Sequence, residues 1–122
     1  MADEFGPLVA ARRAELRLTL RDCASRAGID PGNLSKIERG RLAPPQDPEV
    51  LNRLCAALEY AADDPAAQHI RDVAATQNGR IPFDITGNAD VMASLPILLR
   101  TVNNKKLNAE QIEKLVKTIR DA

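Results

Sequence analysis

Residues 28–41 read GIDPGNLSKIERGR, and they predict a tight turn followed by a short helix. The first glycine can close one helix. Asp30 and Pro31 can open the next, because aspartate caps a helix N-terminus and proline fits its first position. Only Leu34 and Ile37 are apolar in the new helix, and their spacing puts both on one side. Most of this helix should therefore face outward.

The segment before the turn, LTLRDCASRA at residues 18–27, predicts a partner helix capped by Thr19. Its apolar side comprises Leu20, Cys23, Ala24 and Ala27. Two short helices joined by a turn that contains glycine form a helix-turn-helix. The outer side of the second helix then carries Gly32, Ser35, Lys36 and Arg39. A helix with so few apolar anchors can protrude from the protein and enter a DNA major groove, which is about 12 Å wide.

The whole stretch LTLRDCASRAGIDPGNLSKIERGR, with its LSKIERG, resembles lambda-repressor/Cro-like regulators, also called XRE-type helix-turn-helix proteins. The similarity covers about Phe5 to Tyr60. It implies a compact domain of four or five helices that binds a palindromic operator as a homodimer, with residues 31–39 as the recognition helix. The expected function is that of a bacterial transcriptional repressor, which acts in the cytoplasm and carries out no catalysis.

The DNA contacts are expected from Thr19, Arg21, Gly32, Asn33, Ser35, Lys36, Arg39 and Arg41. Pro31 and Gly32 lack the side chains with which relatives read bases, so readout should shift to Asn33, Ser35 and Lys36. Lys36 suits a guanine, and Asn33 suits an adenine or a phosphate. Arg39 and Arg41 suit phosphates. Arg12, Arg21 and Arg26 are expected to be solvated surface charges rather than specific contacts, although Arg21 is also a candidate contact.

Arg13 and Glu38 match two residues that form an ion pair in relatives, between the first helix and the end of the recognition helix. We therefore expect a structural role for both. Arg17 stands where relatives commonly have glycine, after the first helix. Thr19 matches the capping position, where relatives often also touch a phosphate.

Composition supports an all-α chain and argues against other classes of function. Of 122 residues, 44 % are hydrophobic but only 2 % aromatic, so the core must come from aliphatic side chains, which suit packed helices. Basic and acidic residues balance overall, but residues 11–41 contain eight arginines and lysines against four acidic residues. A single histidine and the absence of a catalytic motif argue against an enzyme, a cofactor or a metal. Nothing resembles a membrane span or a signal peptide.

Helix-opening and helix-closing signals divide the chain further. Asp47-Pro48, Asp64-Pro65 and Ser94 are predicted to open helices, and Asn108 with Gln111 forms a capping box. We expect a helix-turn-helix domain at residues 1–62 and a smaller helical segment at 63–122. Cys23 and Cys55 fall on core-facing helix positions, so buried thiols are favoured over a disulfide or a metal site.

The C-terminal half offers more apolar surface than two short helices can bury on each other. The residues expected to form a dimer interface are Leu95, Leu98, Leu99, Val102, Ile112, Leu115, Val116 and Ile119. Packing on the N-terminal domain is an alternative. A different protein is another: a toxin, which would make the chain a DNA-binding antitoxin, or a regulatory protease that acts on IPFDITGN. A protein-interaction module that has lost DNA contact is the remaining competitor.

Overall fold

The computed structural model describes residues 4–122, apart from the side chain of Phe83. The described residues form helices without strands, in agreement with the all-α prediction. The helices are α1 (Phe5–Glu15), α2 (Leu20–Ala27), α3 (Pro31–Glu38), α4 (Pro48–Ala57), α5 (Pro65–Gln77), α6 (Phe83–Thr86), α7 (Ala89–Asn104) and α8 (Ala109–Arg120).

Side-chain caps set the start of most helices, because the first N–H groups of a helix have no partner within it. The Thr19 hydroxyl accepts from the N–H of Asp22 at 3.1 Å. Asp47 and Asp64 accept from the N–H two residues later, each at 2.9 Å, and each precedes a proline in the first turn. Asn108 and Gln111 form the predicted capping box, with both hydrogen bonds at 2.9 Å.

The chain divides into two compact units, of which the first ends at Pro82 and contains α1 to α5. Its core draws on all five helices, and the fully buried side chains include Phe5, Leu34, Leu54 and Leu58. Helix α2 packs closely on α4, and α1 and α3 pack on each other. Both helices that flank the connection between α2 and α3 are therefore fixed, α2 by α4 and α3 by α1.

The division falls about twenty residues later than the expected boundary at 62/63. The physical reason is that α5 buries one side in the core of the first unit, through Ala67, Ile70, Val73 and Ala74. The end of α5 is also tied to the same unit. Gln77 accepts from the backbone N–H of Phe5, and the Asn78 side chain donates to the carbonyl of Pro44 at 3.0 Å.

The second unit runs from Phe83 to Ala122 and contains α6, α7 and α8. Helix α7 begins after Asn88, whose side chain accepts from the N–H of Val91 at 3.1 Å. The predicted start at Ser94 is therefore wrong: Ser94 and Pro96 both lie inside α7. No residue of α7 or α8 is buried. No helix within residues 4–122 is long and apolar enough to cross a membrane.

Candidate nucleic-acid interface

Helix α3 is short and begins as the sequence indicates. The Asp30 carboxylate accepts from the N–H of Asn33 at 3.1 Å, and Pro31 occupies the first turn. Two side chains anchor the helix: Leu34 is fully buried and Ile37 is 7 % exposed. Beyond the helix, Gly40 adopts a left-handed conformation with φ of 76°, which a residue with a side chain tolerates poorly.

The turn between α2 and α3 is fixed by backbone geometry and by a contact from α4. Gly28 has φ of 70°, and the N–H of Ile29 donates to the carbonyl of Ala24 at 2.9 Å. The guanidinium of Arg53, in α4, donates to the carbonyl of Ala27 at 3.1 Å. The end of α2 is thus held in place, and with it the direction in which α3 leaves the turn.

The residues expected to contact DNA lie at the start of α2, in α3 and just after α3. Within this set only Ser35 is half-buried, and the exposed residues are Thr19, Arg21, Gly32, Asn33, Lys36, Arg39 and Arg41. In the part of the chain that the structure describes, none of the four basic side chains in this set has an ion-pair partner. The outward side of α3 therefore keeps its positive charge.

Arg13 and Glu38 form a bidentate ion pair between α1 and the end of α3. Arg13 Nε donates to Glu38 Oε2 at 2.9 Å, and Nη2 donates to Oε1 at 3.0 Å. Nη1 donates to the carbonyl of Leu18 at 3.0 Å, which ties the same guanidinium to the chain just before α2. The hydrogen bond with Glu38 raises the pKa of Arg13 above its ordinary value.

This ion pair also shapes the charge of α3. The Glu38 side chain is only 8 % exposed and that of Arg13 is 24 % exposed, so the carboxylate is withdrawn from the outward surface. Removal of one partner from such a pair would leave the other charge partly buried without compensation, at a cost of about 3 kcal/mol. The pair thus holds α3 on α1 and keeps a negative charge away from Lys36 and Arg39.

Gly6 permits a close contact that the sequence reasoning missed. A Cβ atom on Gly6 would lie 2.5 Å from the carbonyl oxygens of both Ile37 and Glu38. Helix α1 therefore approaches the backbone of α3 more closely than any other residue type would allow. A glycine in the first turn of an amphipathic helix was the available signal, since it lowers helix propensity without a local need.

Arg12 differs from the expected solvated charge. Its Nε donates to the carbonyl of Leu58 at 3.0 Å, and its guanidinium lies 4.3 Å from the centre of the Tyr60 ring. It also pairs with Glu15 at 3.3 Å. Arg12 thus joins α1 to the end of α4, whereas Arg21 and Arg26 are exposed.

The two cysteines are free thiols within the core. Cys23 is fully buried and Cys55 is 3 % exposed. Burial raises the pKa of both thiols above their ordinary value, which keeps them protonated and unreactive at neutral pH. No group of three or more potential metal ligands occurs among the residues that the structure describes.

The structure places the residues expected at a dimer interface in α7 and α8. Leu95 and Val102 are half-buried, and the other six are exposed. The exposed fractions lie between 39 % for Ile112 and 68 % for Ile119. These apolar side chains are therefore available to a partner.

A comparison with protein-family models shows that residues 4–69 match a family described as a helix-turn-helix domain. The match spans just over half of the chain and extends from the start of α1 into α5. Neither the curated proteins nor the solved structures contain a match to the chain.

Proposed function

The chain belongs to the family of XRE-like helix-turn-helix regulators, and we propose that it is a sequence-specific repressor that binds a palindromic operator as a homodimer. Family membership by itself supports a role as a DNA-binding regulator. A role on DNA would place the protein in the cytoplasm. Members of this family are typically not enzymes.

The observation that carries the proposal is the unpaired positive charge on the outward side of α3. Lys36 and Arg39 are exposed on a helix whose inner side is fixed by Leu34 and Ile37. Protein–DNA affinity depends strongly on cations that replace the counterions of phosphates. A rigid helix with free cations on one side has the shape and charge that a major groove accepts.

We assign the contacts by the chemistry of each side chain. Lys36 would donate to guanine O6 and N7, and Asn33 would contact an adenine or a phosphate. Arg39 and Arg41 would contact phosphates beside the groove, which positions the protein without selecting a sequence. Gly32 adds no side chain, so the backbone at the start of α3 could approach the bases closely.

Thr19 and Arg21 would contribute at the start of α2. The Thr19 hydroxyl already accepts from the N–H of Asp22, and its own proton remains available to a phosphate oxygen. Arg21 is exposed two residues after this cap and would add a second phosphate contact.

The proposed dimer supplies the second recognition helix. One short helix makes few base contacts, and related regulators gain affinity by placing two helices in successive major grooves, about 34 Å apart. The apolar residues of α7 and α8 are the proposed interface, because six of the eight are exposed and no residue of either helix is buried. The operator should then be an inverted repeat.

Selection from a randomised DNA pool tests the proposal without a known operator. The retained sequences should contain an inverted repeat with half-site centres about 10 base pairs apart, and binding should weaken steeply with salt. Retention of unrelated sequences, or of none, would contradict the proposal. A gel shift with the DNA upstream of the coding sequence would separate a regulator from a module that has lost DNA contact.

The antitoxin alternative shares the DNA-binding surface but assigns another partner to α7 and α8. The same exposed apolar residues favour it, because a toxin could cover them as well as a second copy. Purification of the untagged complex from its native cell, followed by mass determination, distinguishes the two. A homodimer supports the first proposal, and an equimolar complex with a small protein supports the antitoxin.

A further inference from the structure

Helix α8 presents an apolar stripe that no residue of its own unit covers completely. Ile112, Leu115, Val116 and Ile119 recur at spacings of three, one and three, which places them on one side of a helix. Their exposed fractions are 39 %, 40 %, 41 % and 68 %, and no residue of α8 is buried. Such a stripe can bind the apolar side of another helix.

Charged residues of both signs border this stripe on one flank. Glu113, Lys117 and Arg120 lie within about 60° of each other around the helix axis. They line a shallow groove along α8 together with Ile112 and Val116. On this flank Glu113 is acidic towards the N-terminal end, and Lys117 and Arg120 are basic towards the C-terminal end. Asp121 lines the same groove but lies about 40° farther around the axis than Lys117.

The charges of this flank are not satisfied within the chain. The i, i+4 spacing of Glu113 and Lys117 predicts an ion pair along the helix. Across the described residues, however, neither of them nor Arg120 lies within ion-pair distance of an opposite charge. An acid and two bases thus stand side by side next to an exposed apolar stripe.

We propose that α8 pairs with α8 of a second copy in an antiparallel arrangement, with Glu113 of each copy facing Lys117 and Arg120 of the other. The inference rests on the proposed homodimer and specifies the surface and orientation through which it forms. The occupant is a second copy because the flank is complementary to itself when one copy is reversed.

The positions of these residues along the helix axis agree with this pairing. If the two-fold axis passes between Leu115 and Val116, Glu113 lies about 4 Å from the midpoint along the helix axis. In the reversed copy, Lys117 and Arg120 lie about 2 Å and 7 Å from the midpoint on that same side. Ile112 then faces Ile119, so the apolar stripe is continuous across the pair.

A parallel arrangement has the opposite consequence. A two-fold axis parallel to the helices would place this flank against the opposite flank of the partner helix, where Gln111 and Thr118 carry no charge. Glu113 would then have no basic residue opposite it, so charge complementarity favours the antiparallel pair.

Sedimentation equilibrium of the full chain, without DNA, tests the proposal through charge reversal. Glu113→Lys makes the whole flank basic and should raise the dimer dissociation constant about tenfold or more. In the triple variant E113K/K117E/R120E, the new base at position 113 of each copy faces the new acids at positions 117 and 120 of the other copy. This variant should return the dimer dissociation constant to within about threefold of the native value. Asp63→Lys makes the same charge change at an exposed residue of the first unit, outside α8, and serves as the matched control, with no change expected.

The outcomes separate this inference from the proposed function. A native chain that remains monomeric, or a Glu113→Lys constant equal to that of the Asp63→Lys control, overturns the antiparallel α8 pair. Failure of the triple variant to recover association overturns it as well, provided that far-ultraviolet circular dichroism shows native helix content. If the pool selection still returns an inverted repeat, the regulator stands and the dimer forms through another surface.

Discussion

Leu54 in α4 and Leu99 in α7 are the same residue type in two helices, yet Leu54 is fully buried and Leu99 is 58 % exposed. The contrast holds for the two units as a whole. The first unit encloses a continuous core of side chains from α1 to α5, whereas no residue of α7 or α8 is buried. The first unit therefore has a core that can stabilise it by itself, whereas the second unit exposes apolar side chains that a partner can cover.

This contrast matches a division of labour between the two units. A recognition helix must be rigid, because a base contact needs a fixed distance, and a closed core with the Arg13–Glu38 ion pair provides that rigidity. An association surface must instead be open in the single chain. The proposed function would thus assign stability and specificity to one unit and assembly to the other.

Truncation of the two matched leucines should give the largest difference between the units. Leu54→Ala removes packed side-chain atoms and leaves a cavity, so the free energy of unfolding should fall by about 3 kcal/mol or more. Leu99→Ala should change it by less than about 0.5 kcal/mol, because the side chain is already in water. Urea unfolding followed by circular dichroism measures both. Equal losses would show that α7 has a closed core of its own.

The next comparison concerns two glycines. Gly6→Ala places a Cβ against two carbonyl oxygens of α3, which must shift, so stability should fall by about 1–3 kcal/mol and DNA affinity should fall with it. Gly87→Ala, in the second unit, meets only one backbone oxygen, at 3.8 Å, and should be neutral. Thermal unfolding and DNA titration of both variants check this. A Gly6→Ala protein with native stability would mean that α1 does not constrain α3.

The smallest effect is expected at two strained residues, one in each unit. Arg17 and Lys106 have positive φ values of 53° and 49°. Arg17→Gly removes this strain, and after the entropy cost of glycine it should stabilise the first unit by about 0.5 kcal/mol. Lys106→Gly should leave the main unfolding transition unchanged. A loss of stability in Arg17→Gly would indicate that the arginine side chain makes a contact that outweighs the strain.

The sequence predicted the helix boundaries best where side chain and backbone interact locally. Thr19, Asp30 and Asn108 each cap the following helix by accepting a hydrogen bond from the N–H three residues later. Such contacts do not depend on residues that are distant in the sequence. The start of α7 was missed because Pro96, two residues after the predicted cap Ser94, is typical of a first turn. In the structure this proline lies inside a helix that begins at Ala89.

Contacts distant in the sequence were harder to predict. Helix α5 belongs to the first unit because small side chains such as Ala67 and Ala74 are buried, and alanine gives a weak apolar pattern. Arg12 reaches Leu58 and Tyr60, a contact that exists only after α1 and α4 have packed. The ion pair of Arg13 and Glu38 was accessible only because the resemblance implied it.

The central claim is that the outward side of α3 reads DNA, and Lys36→Ala compared with Arg41→Ala tests it most directly. Each variant is titrated against the selected operator and against a scrambled duplex of equal length at several salt concentrations. Lys36→Ala should lose about 1–3 kcal/mol on the operator and little on the scrambled duplex. Arg41→Ala should weaken both equally and reduce the salt slope by about one. If Lys36→Ala instead lost the same affinity on both duplexes, α3 would not be the reading helix.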